Sequence, residues 1–199
     1  MIEINECKLD EIRKKALDNK VPIIMDDTLL VIEKELLENP PKNILEIGAA
    51  VGYSAICFTK YLAEGGHIDT IERDEERILE AEKNISDMGL QDKITLYKGD
   101  AVEILPTLTG KYDVVFIDAA KGKYPFFLNE AIRMLDNKGI IFADNILYKG
   151  YVLGDYNKHK QRTAVRNLRE YLKLTTENPN FDTKILEVGD GLAISKKKE

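Results

Sequence analysis

Tryptophan is absent from this 199-residue chain, and cysteine and histidine occur only twice each. The histidines, His67 and His159, are isolated, and no Cys/His cluster has the spacing of a zinc site. Cys7 and Cys57 lie far apart, and Cys57 falls in an apolar helical pattern typical of a small core residue. The default expectation is therefore a cytoplasmic protein with reduced thiols.

Long apolar runs are also missing. No stretch approaches the roughly 20 residues that cross a membrane, and the first residues lack a basic segment followed by an apolar one. We therefore expect no membrane span and no secretion signal. The composition, with 44% hydrophobic and 32% charged residues, is that of an ordinary globular protein.

The net charge is −6, so basic residues are not in overall excess. Positive charge is nonetheless concentrated in residues 158–173, which hold six lysines and arginines against Glu170 alone. Such a patch on an acidic protein can bind nucleic acid. The alternative is a solvated helix face, with Lys196–Lys198 as a solubilising tail.

Strand-like and helix-like patterns alternate after two N-terminal helices, predicted over 5–18 and 25–38. The predicted strands are Asn43–Gly48, His67–Glu72, Lys93–Lys98, Tyr112–Asp118 and Gly139–Asp144, with helices at about 52–63, 74–88, 101–108 and 123–136. This alternation indicates a parallel sheet with helices on both faces.

The end of the chain departs from this alternation. A loop at 145–157 precedes a basic helix at about 158–174, and strands near Phe181–Glu187 and Gly191–Ser195 form a hairpin. A terminal hairpin on a parallel sheet resembles the Rossmann-like fold of class I S-adenosylmethionine (SAM) methyltransferases. The resemblance implies an α/β fold with a seven-stranded, mostly parallel sheet and an antiparallel terminal strand. We expect one domain over 1–199, with helices in 1–40 and the Rossmann-like core in 41–199.

A glycine-rich turn follows the first predicted strand. Residues 44–54 read Ile-Leu-Glu-Ile-Gly-Ala-Ala-Val-Gly-Tyr-Ser, and glycines at such a turn let a ligand approach the backbone. The alternative is that Gly48 and Gly52 serve only close packing of helix on strand. The missing third glycine argues against NAD, and the missing lysine argues against a P-loop. The pattern resembles motif I of SAM-dependent O-methyltransferases.

Acidic residues end the next two strands. Glu72 stands about 24 residues past Gly48, where a carboxylate can accept hydrogen bonds from ribose hydroxyls; the alternative is a solvated charge at a helix start. Asp100 and Ala101 follow the third strand, where the family places an adenine contact. Asp100 would also make a good helix N-cap.

Two later strand ends carry hard oxygen donors. Asp118 ends the fourth strand, and Asp144 and Asn145 end the fifth. Carboxylate and amide oxygens suit Mg²⁺ or another hard divalent cation. The alternative is that these aspartates only cap helices or hold loops.

The combination resembles the cation-dependent O-methyltransferases of the catechol and caffeoyl-CoA type. The matching segments are Phe116-Ile117-Asp118 with Lys121 and Tyr124, Ala143-Asp144-Asn145, Ile24-Met25-Asp26 and Gly189–Leu192. The resemblance implies SAM contacts from Met25, Glu46, Gly48, Tyr53, Ser54, Glu72, Asp100, Ala101 and Asp118. It implies a cation held by Asp118, Asp144 and Asn145, with Asp118 and Lys121 as catalytic residues and Lys121 as the base.

The acceptor is the remaining question. Within that family, the segments around Asp118 and Asp144 look most like the bacterial enzymes that convert 5-hydroxyuridine at the tRNA wobble position to 5-methoxyuridine. The 158–173 helix would then contact tRNA phosphates. Alternatives are a small catechol-like acceptor and a nonenzymatic SAM- and RNA-binding protein. We expect a homodimer, although the N-terminal helices could instead shield the site.

Overall fold

The structure is a computed structural model, and it describes residues 2–154 and 161–198. The chain divides into two compact units, one ending at Thr107 and the other beginning at Leu108. The predictions of one domain and of a homodimer stay predictions.

The first unit contains the two N-terminal helices and the first three strands. Its elements are α1 (Glu6–Asp18), α2 (Asp26–Glu38), β1 (Asn43–Ile47), α3 (Tyr53–Thr59), β2 (His67–Glu72), α4 (Glu75–Asp87), β3 (Ile94–Lys98) and α5 (Ala101–Ile104), followed by a 3₁₀ turn at Leu105–Thr107. The strands are parallel in the order β3-β2-β1. The carboxyl ends of these strands therefore share one edge.

The second unit contains four strands and two α-helices among its described residues. Its elements are β4 (Tyr112–Ile117), a 3₁₀ turn (Lys121–Lys123), α6 (Tyr124–Met134), β5 (Leu135–Ala143), α7 (Arg162–Thr176), β6 (Phe181–Leu186) and β7 (Leu192–Lys197). The strand order is β4-β5-β7-β6. β4 and β5 are parallel, whereas β7 runs antiparallel to both β5 and β6, as the predicted terminal hairpin requires.

Amphipathic patterns explain why the helices form where they do. Asp74 caps α4 by accepting a hydrogen bond from the Arg77 amide at 3.1 Å. Ile78, Ala81 and Ile85 recur at helical spacing, and all three are buried. The helix predicted at 74–88 is therefore present, with its apolar face turned inward.

Several predicted boundaries were wrong. α3 ends at Thr59 rather than near 63, and α5 gives way to a 3₁₀ turn after Ile104. β5 begins at Leu135, four residues before the predicted Gly139. The register of β5 against β4 shifts here, and Lys138 has φ 63°, so a turn-like sequence forms an irregular strand start.

The predicted start of the basic helix, at about 158, falls outside the described residues. α7 starts at Arg162, and residues 155–160, with Lys158, His159 and Lys160, lie outside the described residues. In the part of the chain that the structure describes, no helix combines the length and apolar character needed to cross a membrane.

The two cysteines give a direct test of packing in the first unit. Cys7 is exposed, whereas Cys57 is buried in α3. Burial raises the pKa of the Cys57 thiol to about 12, and a buried thiol that stays protonated reacts slowly with disulfide reagents. We expect a disulfide reagent at pH 8 to titrate one thiol in the folded chain and both after denaturation. Equal reaction rates for both thiols of the folded chain would contradict this packing.

Candidate active site

The glycine-rich turn connects β1 to α3. Gly48 and Gly52 have φ of 106° and 79°, a region that side chains rarely adopt. The amides of Gly48 and Ala49 both donate to the Ile71 carbonyl at 3.0 Å. The buried side-chain amide of Asn84 donates to the Val51 carbonyl at 2.9 Å. These contacts fix the backbone of the turn from two sides.

Glu46 lies beneath this turn and is fully buried. The Ser54 hydroxyl donates to one carboxylate oxygen at 2.5 Å, and the Thr70 hydroxyl donates to the other at 2.5 Å. Burying a carboxylate is favourable only when hydrogen bonds replace its water. In this arrangement Glu46 and Ser54 support the turn, and their direct contact with SAM stays a prediction.

Glu72 follows a similar logic at the end of β2. One oxygen accepts the Ala50 amide at 2.8 Å, and the other accepts the amides of Arg73 and Asp74 at 2.8 and 2.9 Å. The carboxylate is thus fixed by three backbone donors from the turn and from the start of α4. A carboxylate held this rigidly at a strand end is well suited to accept hydroxyl hydrogens from a ribose.

Four other predicted cofactor residues lie in the same unit, whereas the predicted contact Asp118 lies in the second unit. Asp100 caps α5 by accepting the Val102 amide at 2.9 Å, and Ala101 begins that helix. Met25 precedes α2 and is 52% exposed. Tyr53 begins α3, and burial raises the pKa of its hydroxyl. The N-cap role of Asp100 is therefore observed, and its adenine contact stays a prediction.

Asp118, Lys121, Asp144 and Asn145 come together in the second unit. Asp118 follows β4 directly, and Asp144 follows β5 with its amide bonded to the Ile117 carbonyl at 3.0 Å. The Asn145 amide donates to Asp144 Oδ1 at 2.6 Å. The Lys121 ammonium donates to Asn145 Oδ1 at 2.6 Å. Parallel strand ends thus bring the predicted donors and the predicted base into one cluster.

Burial perturbs both carboxyl groups of this cluster. The pKa of Asp144 is raised to about 7, mainly by burial and next by the charge of Asp118. The hydrogen bond from the Asn145 backbone amide lowers it and so opposes this shift. Burial also raises the pKa of Asp118, and the Lys121 charge opposes that shift. Two carboxylates kept in low-dielectric surroundings repel each other unless a cation neutralises them.

The donor set fits a hard divalent cation. The candidate site consists of the carboxylates of Asp118 and Asp144 and the side-chain amide of Asn145. Among the described residues, no group of three or more His, Cys, Asp and Glu side chains is arranged to hold a metal. Three such oxygen donors leave coordination positions for water and an acceptor. A bound cation would also offset the burial that raises the pKa of both carboxyls and the Asp118 charge that further raises the pKa of Asp144.

Sequence reasoning assigned no supporting role to three residues, Tyr124, which it named only as part of a matching segment, and Thr70 and Asn84, which it did not name. The buried Tyr124 hydroxyl donates to the Asp144 carbonyl at 2.8 Å and lies 3.4 Å from the Ile117 carbonyl. Thr70 and Asn84 are buried polar residues; Thr70 lies between the buried Ile68 and Ile71 of β2, and the other buried positions of α4 are apolar. A polar residue at an inward position of a strand or helix was the available signal.

Comparison with known proteins identifies the family. An O-methyltransferase family model matches residues 9–198. A catechol O-methyltransferase of Niastella koreensis is 34% identical over 163 residues, which are 77% of this chain and 72% of that protein. A catechol O-methyltransferase of Mycobacterium tuberculosis is 31% identical over 160 residues, which are 77% of this chain and 71% of that protein.

Solved structures agree with these relatives. The O-methyltransferase of Bacillus cereus in complex with SAH matches with a TM-score of 0.87 and 25% identity, covering 98% of this chain and 92% of that chain. A candidate caffeoyl-CoA O-methyltransferase of Staphylococcus aureus matches with a TM-score of 0.87 and 34% identity, covering 96% and 92%. These matches confirm the predicted fold class, the seven-stranded class I SAM methyltransferase fold.

The chain belongs to the O-methyltransferase family. It is a SAM-dependent O-methyltransferase, so the predictions of an enzyme and of SAM as cofactor are confirmed. The nonenzymatic alternative is thereby superseded. The acceptor, the cation and the roles of individual residues are matters for proposal.

Proposed function

We propose that this enzyme transfers the methyl group of SAM to one of two adjacent oxygens of an acceptor, with a divalent cation held by Asp118, Asp144 and Asn145. The observation that carries the proposal is the cluster of two carboxyls with raised pKa, the buried Asp144 and the half-buried Asp118, with the side-chain oxygen of Asn145 and the Lys121 ammonium beside them. A purely nucleotide-binding domain has no use for that combination.

The residues of the cluster have separate tasks. A hard divalent cation, when bound, lowers the pKa of an acceptor hydroxyl. The backbone amide of Asn145 fixes one oxygen of Asp144, and Lys121 is held beside Asn145, where its neutral form would take the proton of an acceptor hydroxyl. SAM, when bound, would supply the methyl group to the deprotonated acceptor oxygen and leave as S-adenosylhomocysteine, and the task of the protein residues is to position the two reactants.

Glu72 is proposed to hold the SAM ribose, and its replacement tests that role. Backbone amides donate to both carboxylate oxygens of Glu72 in the wild type. In Glu72→Gln the side-chain NH₂ replaces one of these oxygens, so at least one backbone amide faces another donor and loses its hydrogen bond. We expect SAM affinity measured by calorimetry to fall about 10-fold or more, equivalent to roughly 1.4 kcal/mol. Glu76→Gln, at an exposed position of the first turn of α4, is the matched control and should bind SAM as the wild type does.

Two acceptors present adjacent oxygens. A small catechol-like molecule is supported by the catechol O-methyltransferases among the relatives. A 5-hydroxyuridine in tRNA is supported by the exposed arginines Arg162 and Arg166 on α7, because such residues can contact phosphates. Both acceptors could occupy the same cluster, so the chemistry is shared and the binding surface differs.

Labelled SAM, Mg²⁺ and each acceptor in turn provide the test. We expect methyl transfer to catechol or to tRNA from a strain lacking this gene, with the modified nucleoside identified by mass. Transfer to tRNA should fall steeply between about 50 and 200 mM salt, whereas transfer to catechol should change little. Unchanged turnover after complete removal of divalent cations by EDTA would refute the role of the cation.

A further inference from the structure

Arg169 lies in the basic segment, which suggests a contact with phosphates, but its side chain donates instead to backbone carbonyls of this chain. Its Nε donates to the Val152 carbonyl at 3.0 Å, and its Nη2 donates to the Tyr151 carbonyl at 3.1 Å and to the Gly154 carbonyl. Three carbonyls of one short segment therefore converge on one guanidinium. A planar guanidinium with several N–H donors is well suited to hold backbone carbonyls in this way.

The segment held by Arg169 continues from the cation cluster. Asn145, Tyr148 and Lys149 have φ of 56°, 36° and 57°, in the left-handed region that side chains adopt only when their surroundings impose it. At the near end, the amides of Ile146 and Leu147 both donate at 2.9 Å to carbonyls of the β6–β7 hairpin. Arg169 supplies a corresponding anchor at the far end.

A chain of contacts leads from Arg169 to the predicted base. The Tyr151 ring, whose residue supplies one of the three carbonyls, packs edge-to-face on the Tyr148 ring at 5.9 Å. The Lys121 ammonium lies 5.4 Å from the centre of the Tyr148 ring and donates to Asn145 at 2.6 Å. The position of this loop thus affects the surroundings of Lys121.

We propose that Arg169 is a positioning residue that holds the loop of residues 145–154 in the conformation that keeps Tyr148 and Asn145 against Lys121. Its effect on methyl transfer rests on the function proposed above, whereas its effect on the loop does not. Arg169 acts through the loop backbone and makes no contact with the acceptor. The positive charge of α7 that tRNA could use then falls to other residues, such as Arg166.

Arg169→Met and Arg166→Met form a matched pair on the same helix. Arg166 is exposed, and its Nε bonds to the neighbouring Asn167 side chain at 3.3 Å. Hydrogen exchange of the amides at 146–154 reports the loop directly without any substrate. We expect exchange there to accelerate at least 10-fold in Arg169→Met, to stay at the wild-type rate in Arg166→Met, and to be unchanged in both variants across β1 to β3.

Steady-state kinetics complete the test, with catechol and 5-hydroxyuridine-containing tRNA as probes. In Arg169→Met we expect kcat to fall about 10-fold or more with whichever of the two probes the wild-type enzyme methylates. The SAM affinity should stay within twofold of the wild-type value. Arg169→Lys should recover part of kcat, because an ammonium can bond to some of the same carbonyls. Arg166→Met should weaken tRNA binding if tRNA is the acceptor, and Glu170→Gln, at an exposed position of α7 with no positive charge, should keep the wild-type kcat with either probe.

Three outcomes would overturn the proposal. They are unchanged exchange at 146–154 in Arg169→Met, accelerated exchange throughout the chain, and a loss confined to tRNA affinity that Arg166→Met reproduces. A wild-type protein that methylates neither probe would refute the proposed function instead. The exchange experiment would still decide whether Arg169 holds the loop.

Discussion

Asp144→Asn is expected to raise the melting temperature of the cation-free protein while it abolishes methyl transfer. Asp144 is 2% exposed, and burial together with the Asp118 charge raises the pKa of its carboxyl to about 7. An asparagine has nearly the same shape, carries no charge and can still accept the Asn145 amide through its own oxygen. The variant therefore removes a destabilising charge and also removes a proposed cation ligand.

The sign of the pH dependence follows from the two states. An aspartate in the unfolded chain has a pKa of about 3.9, below the folded value of about 7, so the folded state binds this proton more tightly. The contribution of Asp144 to stability is therefore most favourable below about pH 4, and it falls as pH rises towards 7. At pH 8 the difference of roughly 3 pKa units amounts to on the order of 4 kcal/mol.

Thermal unfolding in EDTA at pH 8 and at pH 4 measures this effect. We expect Asp144→Asn to melt roughly 5–10 °C above the wild type at pH 8, and the gain to shrink strongly at pH 4. Turnover should fall by about 1,000-fold or more, with SAM affinity retained. Asp182→Asn, at an exposed position of β6, should change neither quantity. A lower melting temperature at pH 8, or substantial turnover in Asp144→Asn, would contradict the account of this cluster.

The strand ends are the part of the site that the sequence predicts well. Parallel strands place their carboxyl ends at one edge, so Asp118, Asp144 and Asn145 could be grouped before any coordinates were known. Their residue types limited the chemistry to hard oxygen donors. Fold class followed from the same alternation, because only a few topologies satisfy it.

The supporting contacts were beyond the sequence. The hydroxyls of Ser54 and Thr70 meet the two oxygens of Glu46 only because β2 lies beside β1 in one particular register. Arg169 looks like one charge among several on a helix, and its three carbonyl partners depend on the path of a loop. Long-range register and loop conformation are set by tertiary packing, which local patterns do not contain.

Gly191→Ala should be among the most destabilising single substitutions in the second unit. Gly191 has φ of 93°, and a Cβ built there would lie 2.4 Å from Leu147 Cγ and 2.8 Å from Leu147 Cβ. Neither of the two segments can move away easily, because they are hydrogen-bonded to each other. The Gly191 carbonyl accepts the Ile146 amide at 2.9 Å, and the Leu147 amide donates to the Asp190 carbonyl. The added methyl group therefore pushes on the segment that begins with Asn145.

Two costs add in this variant, and separate controls isolate them. A side chain at positive φ costs about 1–2 kcal/mol, and overpacking a tight contact adds about 1–3 kcal/mol. Gly65→Ala, with φ of 71° and nothing within 4 Å, carries only the first cost. We expect denaturant unfolding to give a loss of about 3 kcal/mol for Gly191→Ala and about 1 kcal/mol for Gly65→Ala.

Leu147→Ala provides the second control, because it removes the atom nearest to the new methyl group. The double variant Gly191→Ala/Leu147→Ala should lose about 1 kcal/mol less free energy of unfolding than the sum of the losses in the two single variants, as expected for residues in contact. Gly191→Ala alone should also lower kcat more than it lowers SAM affinity, since the displaced loop carries Asn145. Two results would show that the new methyl group does not clash with Leu147. They are a stability loss in the double variant equal to the sum of the single losses, and equal losses for Gly191→Ala and Gly65→Ala.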